Sequence, residues 1–360
     1  MKKSNTFKAW PTWLIRLVIA AIVAMTAGLI VYQKHHSDKY IAEDNAVDRS
    51  QPGTEEPFAN IFDWQKQPSI WGGRNSQAAV VFKDKMWVFG GKNVSDKASN
   101  DVWSSSDGIS WTQVAENTPW LDRSGHQVQV FQDKIWLMGG TSNLGVQLND
   151  VWSSPDGVKW TKETVAAPWA ARADFASVVF DNKLMIMGGW NTSLPQGGEF
   201  TNFNDVWSTT DGINWDKLTE AAAWSKRAYL SAYIQDKKLF IAGGLTAIPV
   251  AKFADIYSST DGINWEKSGE LPEARGAASV VRADGRLYLI DGYDQDRVYN
   301  YSLYSDNGKI WLPTEKYGYG PSRAFHTALY FKNSVWMIGG TDFDSGQIND
   351  LWSTSIIGAK

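Results

Sequence analysis

The sequence predicts an all-β fold, a six-bladed β-propeller that follows an N-terminal transmembrane helix. Three observations lead to this prediction. A Gly-Gly pair or a close variant recurs about every 50 residues, which is the period of a repeated structural unit. The 20 Trp and 31 Gly residues suit many short strands, tight turns and aromatic packing. One long apolar run lies near the N-terminus, directly after several basic residues.

The N-terminal residues predict a signal anchor. Residues 13–32 supply close to the ~20 mostly apolar residues that span a bilayer. The basic segment 1–12 precedes them and should stay in the cytoplasm, which places the propeller outside it, most simply on the periplasmic side of a bacterial inner membrane. Residues 33–56 are polar and contain a Pro-Gly pair, so we expect a flexible stalk. A cleaved signal peptide is the alternative.

Residues 57–356 are predicted to form the blades, because each unit repeats the same landmarks. An Arg precedes a first strand, a short turn follows, and a second strand ends in Gly-Gly. A loop then leads to a third strand that starts Asn-Asp-Val-Trp in most units. The Gly pairs are Gly90-Gly91, Gly139-Gly140, Gly188-Gly189, Gly243-Gly244 and Gly339-Gly340, with Asp291-Gly292 in the fifth unit.

An Asp-Gly turn and a closing Trp complete each unit. The dipeptide favours positive backbone torsions, so it predicts a two-residue hairpin turn after the third strand. The last unit ends before its closing Trp, whereas Trp64 stands ahead of the first unit. We therefore expect a strand at residues 59–65 to complete the sixth blade and to remove an open sheet edge. The Asp-Gly turns begin at Asp107, Asp156, Asp211 and Asp261.

On these motifs the chain resembles the kelch-repeat superfamily, whose best-known fold is the galactose oxidase-like central domain. The resemblance covers roughly residues 57–356 and implies a six-bladed propeller. In peptide-binding kelch proteins, Arg residues before the first strands line the channel mouth. The resemblance carries that placement to Arg74, Arg123, Arg172, Arg227, Arg275 and Arg323.

The face that carries the longer loops is the candidate binding face. In four blades a Trp lies three residues before the Arg. The Trp rings could stack on a ligand, while the circle of six Arg residues attracts carboxylates or acidic sugars. The alternative is architectural: each Arg pairs with the Asp of the third-strand motif and each Trp packs between blades. The four Trp residues are Trp71, Trp120, Trp169 and Trp224.

Departures from the repeat give further candidates for binding. Blade three has the longest insertion, which starts at Trp190, and it carries Asp174 two residues after its Arg. Asp174 and, in blade five, Asp294 could act as an acid or base, and the alternative for both is a solvated loop carboxylate. Other polar departures are Asn191, Gln196 and Glu199 in blade three and Asp291, Tyr293, Asp294, Asp296 and Arg297 in blade five.

Several chemistries are excluded or unexpected. The chain has no Cys, so disulfides, thiolate metal sites and a Cys-Tyr radical cofactor are excluded. Only His126 and His326 lie in the propeller, too few for a His-based metal site, and we expect no cofactor. A net charge of -4 without a basic stripe argues against nucleic acid as a partner.

These observations predict a membrane-anchored binding module for a glycan or an extracytoplasmic protein. The alternative is an enzyme similar to the secreted six-bladed kelch mutarotases that epimerise sialic acids. In that case the Arg-rich mouth would hold the substrate carboxylate, and Asp174 or a neighbouring residue would move the proton.

Overall fold

The computed structural model describes residues 61–69, 71–192, 200–314, 322–343 and 346–356, all within the compact unit Pro57–Lys360. The predicted basic segment 1–12, membrane segment 13–32 and stalk 33–56 lie outside the described residues. Within the described ranges, no helix is long and apolar enough to cross a membrane.

The strands form six four-stranded antiparallel sheets, as the sequence predicts. Each of the first five blades uses four strands that are consecutive in the chain, so that blade one begins with the second strand and blade five ends with the twenty-first. The strands are β1 (Gln65–Gln67), β2 (Ala78–Phe82), β3 (Lys85–Phe89), β4 (Val102–Ser105), β5 (Thr112–Ala115), β6 (Gln127–Phe131), β7 (Lys134–Met138), β8 (Val151–Ser154), β9 (Thr161–Thr164), β10 (Ala176–Phe180), β11 (Lys183–Met187), β12 (Val206–Thr209), β13 (Asp216–Thr219), β14 (Ser231–Gln235), β15 (Lys238–Ala242), β16 (Asp255–Ser259), β17 (Glu266–Glu270), β18 (Ser279–Ala283), β19 (Arg286–Ile290), β20 (Leu303–Ser305), β21 (Leu312–Pro313), β22 (Thr327–Phe331), β23 (Ser334–Ile338) and β24 (Leu351–Thr354).

Blade six joins the two ends of the described chain. It consists of β22, β23 and β24, with β1 as its outermost strand, and Gln65 lies opposite Ser353. The strand lies later in the chain than the expected 59–65. Ile61 and Phe62 instead fill the apolar space between blades five and six, and Phe62 forms one further bridge to Ile356. The predicted closure is therefore present, with a shifted strand.

Hydrophobic clusters fill all six blade interfaces. Between blades one and two, Trp87 and Phe89 pack with Trp120 and Leu137, and the other five interfaces, including that between blades six and one, have equivalent clusters. The second strand of each blade is buried almost throughout because neighbouring blades cover both of its faces. The core is thus a ring of interfaces rather than one centre.

The turns differ from the prediction. Positive φ angles at both central residues occur in the turns between first and second strands, for example at Lys83 and Asp84. The Asp-Gly segments are longer loops in which the Asp side chain replaces the hairpin turn. Asp107 Oδ1 accepts hydrogen bonds from the backbone N–H groups of Ile109 and Ser110, at 2.8 and 2.7 Å. The Asp-Gly hairpin prediction was therefore wrong in its turn type.

The same loops hold neighbouring blades together. A Cβ on Gly157 would lie 2.3 Å from the Trp87 ring of the preceding blade, and a Cβ on Gly212 would meet Trp136 equally closely. Glycine is required at these positions because the loop backbone rests on an aromatic ring. The opposite face carries the loops that follow each second strand. In blades one and two these loops pair with the Arg segment before the first strand, and in blades three and four they form two-stranded ribbons by themselves. The paired segments are Arg74–Asn75 with Lys92–Asn93, Arg123–Ser124 with Thr141–Ser142, Trp190–Thr192 with Phe200–Asn202, and Leu245–Thr246 with Ala251–Lys252.

Candidate functional site

The six Arg residues of the repeat lie inside the blades. Arg123 is fully buried, and its guanidinium donates to both carboxylate oxygens of Asp150, at 2.8 and 2.9 Å, and to the carbonyl of Gly139 at 2.9 Å. Burial alone would raise the pKa of Asp150. The hydrogen bond and the charge of the Arg123 guanidinium lower this pKa by more than burial raises it, so the net shift is downward. The carboxylate-paired Arg residues are Arg74 with Asp101, Arg123 with Asp150, Arg172 with Asp205, Arg227 with Asp255, and Arg323 with Asp350.

Blade five replaces this carboxylate with aromatic rings. The Arg275 guanidinium lies 4.1 Å from the centre of the Tyr299 ring and 4.8 Å from that of Tyr301. It donates to the backbone carbonyls of Asp291 and Tyr301. Cation–π contacts stabilise the buried charge here. The loss of the Asn-Asp-Val-Trp motif in blade five thus coincides with a different means of holding the same Arg.

The rest of the third-strand motif also has a place in the blade. The Asn100 amide donates to the carbonyls of Thr118 and Trp120 in the segment that leads to the next blade, and Trp103 Nε1 donates to Asp101 at 2.7 Å. The four predicted Trp residues are each at most 6% exposed and belong to the clusters between blades: Trp71, Trp120, Trp169 and Trp224. The placement of the Arg and Trp residues therefore matches the architectural alternative, since neither group faces the channel mouth.

The residue two positions after each Arg forms a closed circle around the channel. Each of these residues has a positive φ, and its backbone N–H donates to the carbonyl of the corresponding residue in the preceding blade, at 2.8 to 3.0 Å. We call this circle the collar. It consists of Ser76, Gly125, Asp174, Tyr229, Ala277 and Phe325.

Two cavities of about 270 Å³ each share collar residues. The channel cavity runs along the first strands of all six blades, and the mouth cavity opens towards the long-loop face. Five collar residues border both, all except Ala277. Both volumes are close to the ~300 Å³ of small ligand pockets. The mouth cavity is the candidate functional site because it opens towards the face with the longer loops.

Asp174 is one of two acidic groups that line the mouth cavity, the other being Asp96. Asp174 Oδ2 accepts a hydrogen bond from Trp190 Nε1 at 2.7 Å, and Oδ1 of the same carboxylate lies over Gly125, where a Cβ would approach to 2.6 Å. Burial raises the pKa of Asp174 to about 6, although Trp190, Lys92 and the Tyr229 hydroxyl oppose the shift. Two predicted site residues, Asp174 and Trp190, are thus brought together at the mouth.

Aromatic rings form the wall opposite the small collar residues. Tyr229 and Phe325 meet edge to face, with ring centres 5.3 Å apart, and Phe343 packs on Tyr293 at 5.3 Å. Burial, followed by the charge of Asp174, raises the pKa values of Tyr229 and Tyr293, which keeps both hydroxyls protonated. Sequence reasoning missed Tyr229, Phe325 and Phe343. The signal that could have found Tyr229 and Phe325 is the variation at the second position after each Arg, whereas Phe343 lies in the loop after Gly339-Gly340 and has no such signal.

The remaining polar groups of the mouth are hydroxyls, amides and one ion pair. Lys92 Nζ lies 3.0 Å from Asp96, and Asn75, Ser76 and Thr141 also line the cavity. Among the described residues, no group of three or more His, Asp or Glu side chains could hold a metal ion.

The other predicted candidates are placed as follows. Asn191 donates to the carbonyl of Ala171, and Asp291 is buried inside blade five. Asp294 accepts from the Tyr299 hydroxyl at 3.0 Å, while Arg297 pairs with Glu273 at 2.7 Å. These four residues make contacts elsewhere in the propeller and do not line the mouth cavity. Asp296 is exposed and pairs with Lys252, and Gln196 and Glu199 lie outside the described residues.

Repeated Arg–Asp pairs, Gly-Gly turns and a closed ring of six blades define a kelch-type propeller. The model of the KLHDC2/KLHL20/DRC7 Kelch-repeats domain matches residues 61–244, about half of the chain, and the protein belongs to this kelch-repeat family.

Comparison with solved structures supports the same fold. The structure titled "Structure of YjhT" is similar with a TM-score of 0.63, at 16% sequence identity, over 80% of this chain and 95% of that chain. At this identity the similarity concerns the fold alone. No curated protein sequence matches.

Proposed function

We propose that this protein is a membrane-anchored, extracytoplasmic binding module whose ligand enters the mouth cavity and is a saccharide. The observation that carries the proposal is the two-sided chemistry of that cavity. Asp174, Asn75 and Ser76 offer hydrogen-bonding groups on one side, and Tyr229 and Phe325 offer aromatic surface on the other. A sugar ring has hydroxyls at its edge and C–H groups on its faces, so it complements both sides.

The proposal differs from the sequence-based expectation in the residues that contact the ligand. The six Arg side chains lie within the blades, so the charge at the mouth comes from Asp174, Lys92 and Asp96 instead. The proposed extracytoplasmic location and membrane anchor rest on the N-terminal sequence, with its basic residues before the apolar segment 13–32.

A glycan array probed with the full-length chain in detergent micelles tests the proposal. We expect binding that Asp174→Asn and Trp190→Ala each weaken at least tenfold, because both side chains border the cavity. The matched control is Glu116→Gln, which removes an exposed carboxylate outside the cavity and should leave binding unchanged. If no glycan binds but an extracytoplasmic protein does, and Asp174→Asn leaves that binding intact, the proposal is wrong.

The second candidate function is a sugar mutarotase or epimerase, as the sequence resemblance suggested. The observation that favours it is the pKa of Asp174, raised to about 6 by burial, since a carboxyl group that titrates near the working pH can both give and take a proton. Tyr229 lies beside it as a protonated partner. Ring opening of a cyclic sugar requires proton transfer at the anomeric hydroxyl and at the ring oxygen, and no redox cofactor.

One-dimensional NMR of anomer interconversion separates the two functions. An enzyme accelerates equilibration of a freshly dissolved anomer, and Asp174→Asn should abolish that acceleration. A binding module leaves the uncatalysed rate unchanged while still broadening or shifting the signals of the bound sugar.

A further inference from the structure

The charges of the mouth cavity are distributed unequally. Three charged side chains line it, and two of them, Lys92 and Asp96, pair with each other. Among the described residues, no Lys, Arg or His forms an ion pair with the third, Asp174. The carboxylate receives hydrogen bonds from Trp190 and the Tyr229 hydroxyl and the more distant attraction of Lys92, and neither hydrogen bond supplies a counter-charge. When ionised, it leaves the cavity with an uncompensated negative charge.

Aromatic rings surround the same carboxylate. Trp190 donates to it, Tyr229 lies beside it in the collar, and Tyr229 packs on Phe325. Phe325 in turn contacts Tyr293 at 5.2 Å between ring centres, and Phe343 extends the wall towards solvent with 49% of its surface exposed. The faces of such rings carry negative potential and attract cations, most strongly where water is excluded.

We propose that the mouth cavity recognises a protonated amine, with the ammonium group bound by Asp174 and its carbon skeleton against the Tyr229 and Phe325 rings. This inference rests on the proposed function and narrows it, because an amino sugar is both a saccharide and a protonated amine, whereas an acidic sugar is only a saccharide. An anionic ligand would bring a second negative charge next to Asp174. A neutral ligand would leave the carboxylate without a counter-charge.

The size of the site suits such a ligand. The mouth cavity of about 270 Å³ accepts a single sugar ring, and the collar residues Ser76 and Gly125 on its border carry a small side chain and none, respectively. Asp174 Oδ1 lies over Gly125, while Oδ2 is held by Trp190. Trp190 thus orients one oxygen, and the other lies against Gly125 of the collar.

Calorimetry with the full-length chain in detergent micelles tests the inference with four probes: glucosamine, N-acetylglucosamine, glucose and ethanolamine. We expect glucosamine to bind at least tenfold more tightly than N-acetylglucosamine and glucose, because acetylation removes the positive charge. Asp174→Asn should lower glucosamine affinity at least tenfold. Lys92→Met removes the competing cation and should raise glucosamine affinity, which keeps the test valid if Asp174→Asn misfolds. Glu116→Gln is the control that keeps wild-type affinity.

The pH dependence gives an independent readout. Between pH 5 and pH 7 glucosamine affinity should rise roughly tenfold as Asp174 ionises. The other titratable groups that face Asp174 are Lys92, Asp96, Tyr229 and Tyr293, and the raised pKa values of the two Tyr hydroxyls keep them protonated in this range. The rise should disappear in Asp174→Asn.

The outcomes separate this inference from the proposed function. Equal affinity for glucosamine and N-acetylglucosamine would overturn the amine inference and leave saccharide binding intact. Equal affinity for glucosamine and ethanolamine would support the amine inference and overturn the saccharide proposal. If none of the four probes binds at millimolar concentration, both are wrong.

Discussion

Asp174 combines a functional position with an unusual titration. The pKa of its carboxyl is 3.8 in the unfolded chain and is raised to about 6 in the folded protein, because burial disfavours the charge. Between these two pH values the folded protein binds more protons than the unfolded chain. The contribution of Asp174 to the free energy of unfolding therefore falls as the pH rises from about 4 to about 6. Ionisation of Asp174 therefore lowers the stability of the folded protein, as is common where function requires a charge.

Asp174→Asn should remove this dependence. We expect the difference in unfolding free energy between Asp174→Asn and wild type to grow in favour of the variant by about 1–2 kcal/mol from pH 4 to pH 7, allowing for partial solvent access at the mouth. Urea denaturation at several pH values measures it. A difference that stays constant across this range would show that the folded carboxyl titrates normally.

The two His residues of the propeller impose the opposite trend. Within the described residues the buried rings of His126 and His326 have no hydrogen-bond partner, and burial, followed by the charge of the adjacent Arg, lowers the pKa of each to about 3. An unfolded His titrates near 6.5, so the unfolded state binds more protons between pH 3 and pH 6.5. Stability from these groups is present above that window and is lost as pH falls through it.

His126→Phe should therefore make the protein more resistant to acid. Phe175 occupies the equivalent position in blade three, against the equivalent Gly pair, so the ring fits the repeat. The difference in unfolding free energy between variant and wild type should shift in favour of the variant by about 2–3 kcal/mol from pH 7 to pH 4. Thermal denaturation at both pH values checks this, and identical acid sensitivity of variant and wild type would contradict it.

At the scale of the single blade, the Arg–Asp pair links the first, second and third strands. Asp150→Ala would leave the Arg123 guanidinium buried without a counter-charge, and breaking one partner of a buried pair costs about 3–5 kcal/mol. Urea denaturation should show this loss while ligand affinity at the mouth stays unchanged. Lower affinity with unchanged stability would instead indicate that Arg123 serves the ligand.

The Asp-Gly loops give a second prediction at this scale. Gly157→Ala places a methyl group 2.3 Å from the Trp87 ring and should lower the free energy of unfolding by roughly 3 kcal/mol or more. Gly285→Ala is the matched control. Gly285 also has a positive φ, but a Cβ there would meet nothing within 4 Å, so only about 1 kcal/mol should be lost. Equal losses for the two variants, measured by urea denaturation, would show that the contact with Trp87 is unimportant.

The blades could be predicted from sequence because each repeats the same contacts. Arg, Gly-Gly, Asn-Asp and the closing Trp recur, and each serves its own blade or the adjacent interface. The mouth site could be predicted only in part, since it is formed by residues that differ between blades. Asp174 and Trp190 stood out as departures. The partnership of Tyr229 with Phe325 depends on the geometry of the ring, because blade five lies between them in sequence and contributes only the small Ala277.

At the scale of the whole propeller, the N-terminal segment closes the ring. Phe62 is buried, and its ring centre lies 5.1 Å from that of Tyr288 in blade five. Phe62→Ala should lower the free energy of unfolding by about 3–4 kcal/mol and should increase hydrogen exchange in β24. The neighbouring exposed Asp63→Ala serves as control. Unchanged exchange in β24 would mean that the closure depends on the backbone of β1 alone.

The collar has a consequence for how such a protein can change in evolution. Its bonds all run in one sense around the axis, and the Ser76–Phe325 bond between blades one and six is no different from the other five. The collar hydrogen bonds are therefore the same whichever blade joins the first and last strands. Duplication or loss of one repeat, by contrast, would interrupt the circle, so blade number can change only if all inner loops adopt a new curvature together.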